Sequence, residues 1–109
     1  MSLPEPFRGE VWDVDFFDFG MHPAVVLSTN SLNSRLGHVA VIPVIGTRGP
    51  EQTHLVLTAD AGLTRYEESY ADITALQPVG RSQLLARRGL LVRTEIDRLG
   101  SQLATYLGR

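Results

Sequence analysis

Cysteine is absent from the chain, which removes disulfides, thiolate metal sites and cysteine nucleophiles together. Lysine is absent as well, and all ten basic residues are arginine. Arginine holds phosphate in a bidentate fork, but a GC-rich genome puts arginine at basic positions without functional demand, and codon bias is the simpler account. No apolar run is long. The longest are Pro23–Leu27 and Val39–Ile45, whereas a bilayer takes about 20 apolar residues in succession. No membrane association is expected. Residues 1–8 contain no basic region followed by an apolar stretch, so a signal peptide is not predicted and the cytoplasm is the expected location. An excess of one charge is also missing. Ten basic and twelve acidic residues leave a net charge of −2, which argues against indiscriminate coating of nucleic acid.

What is present describes one small globular domain. A chain of 109 residues builds one modest core, so residues 1–109 are assigned to a single domain. Hydrophobic residues at 43% and charged residues at 20% exclude a disordered chain. Charge is distributed unevenly. Glu5, Glu10, Asp13, Asp15 and Asp18 face Arg8 alone near the start, while Arg81, Arg87, Arg88, Arg93 and Arg98 outnumber Glu95 and Asp97 near the end. The second group forms either a basic patch for a phosphate backbone or an ordinary solvated face.

Hydrophobic periodicity places the elements. Gly9–Phe16 alternates, with Val11, Asp13 and Asp15 on one side and Trp12, Val14 and Phe16 on the other, which predicts a half-buried strand. Asp18-Phe19-Gly20 turns the chain into an apolar strand at Pro23–Ser28. Ser31–Leu36 has room for one or two helical turns. Val39–Ile45 reads as the most buried strand, although Pro43 donates no ladder hydrogen bond and implies a bulge or an edge. After a loop at Gly46–Gln52, strands follow at Thr53–Thr58, closed by Asp60-Ala61-Gly62, and at Ser69–Leu76. Ser82 is placed to cap a short helix through Leu85, and Gly89–Val92 is the last strand. Ile96, Leu99, Leu103, Tyr106 and Leu107 then recur at helical spacing. Thr94 and Asp97 approximate a capping box, and Gly108 supplies a stop. The pattern predicts an α+β domain: a small, twisted, barrel-like antiparallel sheet with short helices and a C-terminal amphipathic helix.

Several strings in this order resemble the MazF/PemK toxins. Arg8-Gly9-Glu10-Val11-Trp12-Asp13-Val14-Asp15 is similar to their opening strand, and Pro23-Ala24-Val25-Val26-Leu27-Ser28 to the second, with Asn30–Asn33 like the polar turn after it. Val39–Pro43, Thr53–Leu57 and Ser69–Leu76 correspond to the next three strands, and Ile96-Asp97-Arg98-Leu99 with Leu103 to the closing helix. The resemblance runs from Arg8 to Leu107. It implies an SH3-like barrel of the MazF/CcdB type and a homodimer paired with a cognate antitoxin, the two together binding DNA. It also implies a sequence-specific endoribonuclease, an mRNA interferase that cuts single-stranded RNA. Such enzymes use the RNA's own 2′-hydroxyl as nucleophile and need no cofactor or metal. Three scattered histidines without clustered carboxylates agree with that.

The chain departs from its relatives at the expected catalytic positions. They carry arginine before the second-strand proline, where this chain has His22. They carry threonine or serine two residues after the third-strand proline, where this chain has Ile45, followed by Gly46, Thr47 and Arg48. Either catalysis is lost, or the site is reassigned to His22 as acid–base group and to Thr47 or Arg48 at the phosphate. His22 and Thr47 are therefore the catalytic candidates, with Arg48, Phe17 and Phe19 as RNA-binding candidates. His54 reads as structural, and Trp12 and Phe16 as core. Two alternatives remain: a gyrase-binding toxin of the CcdB type, against which the Tyr106-Leu107-Gly108-Arg109 ending counts, and a catalytically inactive binding module.

Overall fold

A computed structural model describes residues 4–57, 62–63 and 68–108. Within them the strands are β1 (Glu10–Asp15), β2 (Met21–Val26), β3 (His38–Ile45), β4 (His54–Leu57), β5 (Ser69–Asp72), β6 (Gln77–Gly80) and β7 (Leu84–Leu90). The helices are α1 (Asn30–Asn33) and α2 (Arg93–Tyr106), and 3-10 turns lie at Phe17–Phe19, Ile73–Ala75 and Arg81–Gln83. The sheet order is β4-β5-β3-β2-β1-β7, with β6 joining β3 off that path. Every pairing is antiparallel.

β3 organises the sheet. One edge pairs with β2 at Val41–Pro43. The other edge pairs first with β6, at His38–Val41, and then with β5, at Val44–Ile45. Pro43 thus lies within a central strand, not at a sheet edge. Neither β5 nor β6 is in register with Ile42 or Pro43, so a residue without an N–H is tolerated at the handover.

Two apolar clusters cover both faces. Val11, Val25, Ile42, Val44, Leu55 and Ile73 pack beneath Ile96 and Leu99 of α2. Val14, Phe16, Ala24, Val26, Val39 and Val41 form the second cluster with Val79 of β6 and Leu84 of β7. Because strands from opposite sides of β1–β3 meet in that cluster, the sheet curls. No ladder joins β6 to β7 among the described residues. The curl corrects the expectation of a half-buried first strand: Val11 and Val14 are both fully buried. Two acids on β1, Glu10 and Asp13, are consequently drawn inside and paired. Glu10 accepts from the Phe7 amide at 2.7 Å and from Trp12 Nε1 at 3.2 Å, and it is ion-paired with Arg87. Asp13 lies 3.5 Å from Arg88.

Side chains also redraw the later boundaries. The Asp72 carboxylate accepts from the Thr74 amide at 3.0 Å and from its hydroxyl at 2.6 Å. This local turn ends β5 and splits the expected Ser69–Leu76 strand. Gln83 Oε1 accepts from the Gly80 amide at 2.7 Å, so Ser82 lies in a 3-10 turn, and β7 begins at Leu84, well before the expected Gly89. α2 starts after Val92 without a side-chain cap; Asp97 is occupied by Arg93 at 3.4 Å and makes no capping box with Thr94. Gly108 ends the helix with φ +80°, as its sequence position implies. Tyr106 and Leu107 are exposed, so the buried stripe stops near Leu103. Asp60 and Ala61 lie outside the described residues.

Candidate functional site

His22 pairs with Val14 across β1 and β2 and precedes the buried Pro23. Its Nε2 lies 2.9 Å from the Phe19 carbonyl oxygen. A carbonyl only accepts, so Nε2 carries the proton in that bond. The imidazole sits 6.4 Å from the Phe16 ring and lines a cavity of about 220 Å³ together with Phe19, Pro43, Ile45 and Gln77. Ile45 contributes no hydroxyl where the resemblance expects one.

The β1–β2 turn carries two exposed aromatic rings. Phe17 and Phe19 are 72% and 73% exposed. Phe17 has φ 59°, a left-handed conformation that costs a non-glycine residue about 1–3 kcal/mol. The Phe17 amide donates to Asp15 Oδ1 at 2.8 Å, and Phe16 N–H donates to the Gly20 carbonyl at 3.0 Å. These bonds hold the turn with both rings in solvent.

The remaining candidates lie elsewhere. Thr47 and Arg48 are exposed in the loop after β3. Arg48 lines a second, more polar cavity of about 520 Å³ with Glu51, His54, Tyr70, and Arg98 and Gln102 of α2. The structure therefore groups His22 with Phe19 and Ile45, and Arg48 with His54. It does not bring His22 and Arg48 into one cavity, and Thr47 lines neither.

His54 is more constrained than a strand residue in an alternating pattern suggests. Its Nδ1 is 2.8 Å from the Thr53 hydroxyl, and its Nε2 is 3.9 Å from Asp72 Oδ2. A Cβ added at Gly49 would stand 2.6 Å from the ring, so the loop bearing Arg48 rests directly on His54. Tyr70 donates its hydroxyl to Glu68. That bond, then burial, then the charge of Glu68 push its ionisation above the ordinary phenol range, while Arg48 opposes the shift. Sequence reasoning missed Tyr70, Arg98 and Gln102. The four-residue spacing of Arg98 and Gln102 shows a shared helix face, but nothing local says that this face meets the β3–β4 loop. Among the described residues no three histidine or acidic side chains converge as metal ligands. No described helix is long and apolar enough to cross a membrane.

An antiparallel sheet closed on one face by a C-terminal helix is the MazF-like fold. A mycobacterial endoribonuclease superposes with a TM-score of 0.83 at 22% identity, covering 99% of this chain and 96% of that one. A mycobacterial endoribonuclease in complex with its cognate antitoxin gives 0.84 at 24%, covering 94% and 95%. MazF in a MazE–MazF complex from Deinococcus radiodurans gives 0.80 at 20%, covering 96% and 97%. No curated protein matches by sequence. Residues 7–107 match the family described as PemK-like, MazF-like toxin of type II toxin–antitoxin system, and the chain belongs to that family.

Proposed function

We propose that this protein is an endoribonuclease toxin that cuts single-stranded mRNA at specific sequences without a metal or other cofactor. It acts in the cytoplasm as a homodimer with an SH3-like barrel in each subunit, and a cognate antitoxin binds and silences it. The observation that carries this reading is the family match over residues 7–107. The histidine that shares a cavity with the exposed Phe19 ring supports it, since unstacked bases bind such rings whatever their sequence.

The chemistry is an internal transesterification. The 2′-oxygen bonds to the adjacent phosphorus as its proton leaves, and the bond from phosphorus to the 5′-oxygen breaks. The 5′ fragment keeps a cyclic phosphate. His22 takes the proton from the 2′-hydroxyl and returns it to the departing 5′-oxygen, since an imidazole carries both an acceptor and a donor nitrogen. Thr47 contacts the phosphate at the bond being cut, and Arg48 binds the RNA strand through a backbone phosphate, which suits a guanidinium fork.

Incubating the purified protein with a long single-stranded RNA in EDTA tests the proposal, and discrete fragments ending in cyclic phosphate are expected. Loss of all cutting in EDTA, with recovery on adding Mg²⁺, would end this account. Ile45 in place of a hydroxyl residue favours a second reading, a toxin of the same fold that grips gyrase instead of cutting RNA. Gyrase inhibition by a protein that leaves RNA intact would establish it.

A further inference from the structure

The polar cavity beside β4 holds groups that chemistry at His22 does not use. Arg48 reaches it from the β3–β4 loop, and Arg98 reaches it from α2, fifty residues later in the chain. Both side chains are exposed, and no ion pair ties either to a carboxylate among the described residues. Arg87, Arg88 and Arg93 differ, being held by Glu10, Asp13 and Asp97. Two acids, Glu51 and Glu68, also line the cavity; Glu68 accepts the Tyr70 hydroxyl and keeps its charge, so both oppose an anion there. His54, fixed between Thr53 and Asp72 and packed under Gly49, positions the loop that presents Arg48.

We propose that Arg48 and Arg98 form a phosphodiester-binding subsite that grips the RNA strand away from the bond being cut. This rests on the ribonuclease reading. Two guanidiniums supplied from a loop and a helix suit a phosphate group, which accepts paired N–H donors from each. The subsite makes binding dependent on salt, because each neutralised phosphate releases counterions.

A fluorescent 2′-O-methyl oligoribonucleotide, which cannot be cleaved by attack of its own 2′-oxygen, serves as the probe. Its affinity is measured by anisotropy over a range of salt concentrations. Arg48→Ala and Arg98→Ala should each flatten the slope of log affinity against log salt by about 0.7, with thermal unfolding unchanged. Arg93→Ala, on the same helix but paired with Asp97, should leave the slope as it was. Glu51→Gln should tighten binding, because it removes one of the two opposing charges.

Unchanged slopes in both arginine variants, from a protein that still binds and cuts RNA, overturn the subsite and leave the ribonuclease reading standing. A wild-type protein that neither binds nor cuts RNA overturns both. Two competitors identify other sources of anion. If the arginine variants lose affinity for a polyglutamate peptide but keep the oligonucleotide slope, the cavity takes an acidic protein segment and the proposal fails. It also fails if inorganic phosphate, at constant ionic strength, binds in an arginine-dependent way while the oligonucleotide slope does not respond.

Discussion

His22 and Tyr70 carry the tests that belong to single side chains. His22→Ala should lower RNA cleavage by about 10²–10⁴-fold, the usual contribution of general acid–base catalysis, while circular dichroism and sedimentation stay as in wild type. His22→Arg should recover only part of that loss, because a guanidinium keeps its protons and cannot serve as the base. Cleavage at the wild-type rate by His22→Ala reduces the histidine to a surface residue. Tyr70 makes a prediction with a definite sign. Its ionisation is raised in the folded state, mainly by donation to Glu68, so folding favours the neutral phenol. That contribution is complete below the unfolded value of about 10 and is lost as pH rises through the folded value. Glu68→Gln should therefore move one tyrosine's ionisation to lower pH in an absorbance titration. An unmoved titration would show that Glu68 does not hold the phenol.

At the scale of elements, the seat of α2 on β1 depends on one glycine. Gly9 has φ +90°, and a Cβ there would stand 2.3 Å from Ile96 Cδ1. Its amide donates to the Val26 carbonyl at 2.7 Å, and its carbonyl accepts from Leu91 at 2.9 Å, so the backbone cannot drift to relieve the contact. Gly9→Ala should cost about 1–3 kcal/mol in denaturant unfolding, from overpacking and left-handed strain combined. Gly37 is the comparison. A Cβ there meets nothing within 4 Å, and Gly37→Ala should be neutral or stabilising by up to about 1 kcal/mol through the unfolded chain. Equal losses from both would remove Gly9 as the special contact. β1 and β4 were placed within a few residues by alternation, and β2 and β3 by their short apolar runs. The region from Ser69 to Val92 was not, because side-chain bonds from Asp72 and Gln83 set its breaks and leave no periodic signature.

Over the whole molecule, the edge strand β7 exposes Leu85 and Leu90, with Val92 just beyond it. A domain this small buries a limited share of its own surface, and a twofold pair is the commonest way to cover more. Sedimentation at micromolar concentration should give about twice the 12.0 kDa chain mass; a strictly monomeric species would contradict the dimer. The sequence by itself determined the family, the first strands, the terminal helix and the exceptional histidine before Pro23, because each is written in local strings and short periods. Phe17 and Phe19 were legible as candidates, but their exposure depended on a turn tied by Asp15 and Gly20. Only the tertiary structure separated His22 from Arg48 and set Arg48 beside Arg98. Residues fifty positions apart meet through the packing of α2 against the sheet, and no local pattern encodes that meeting.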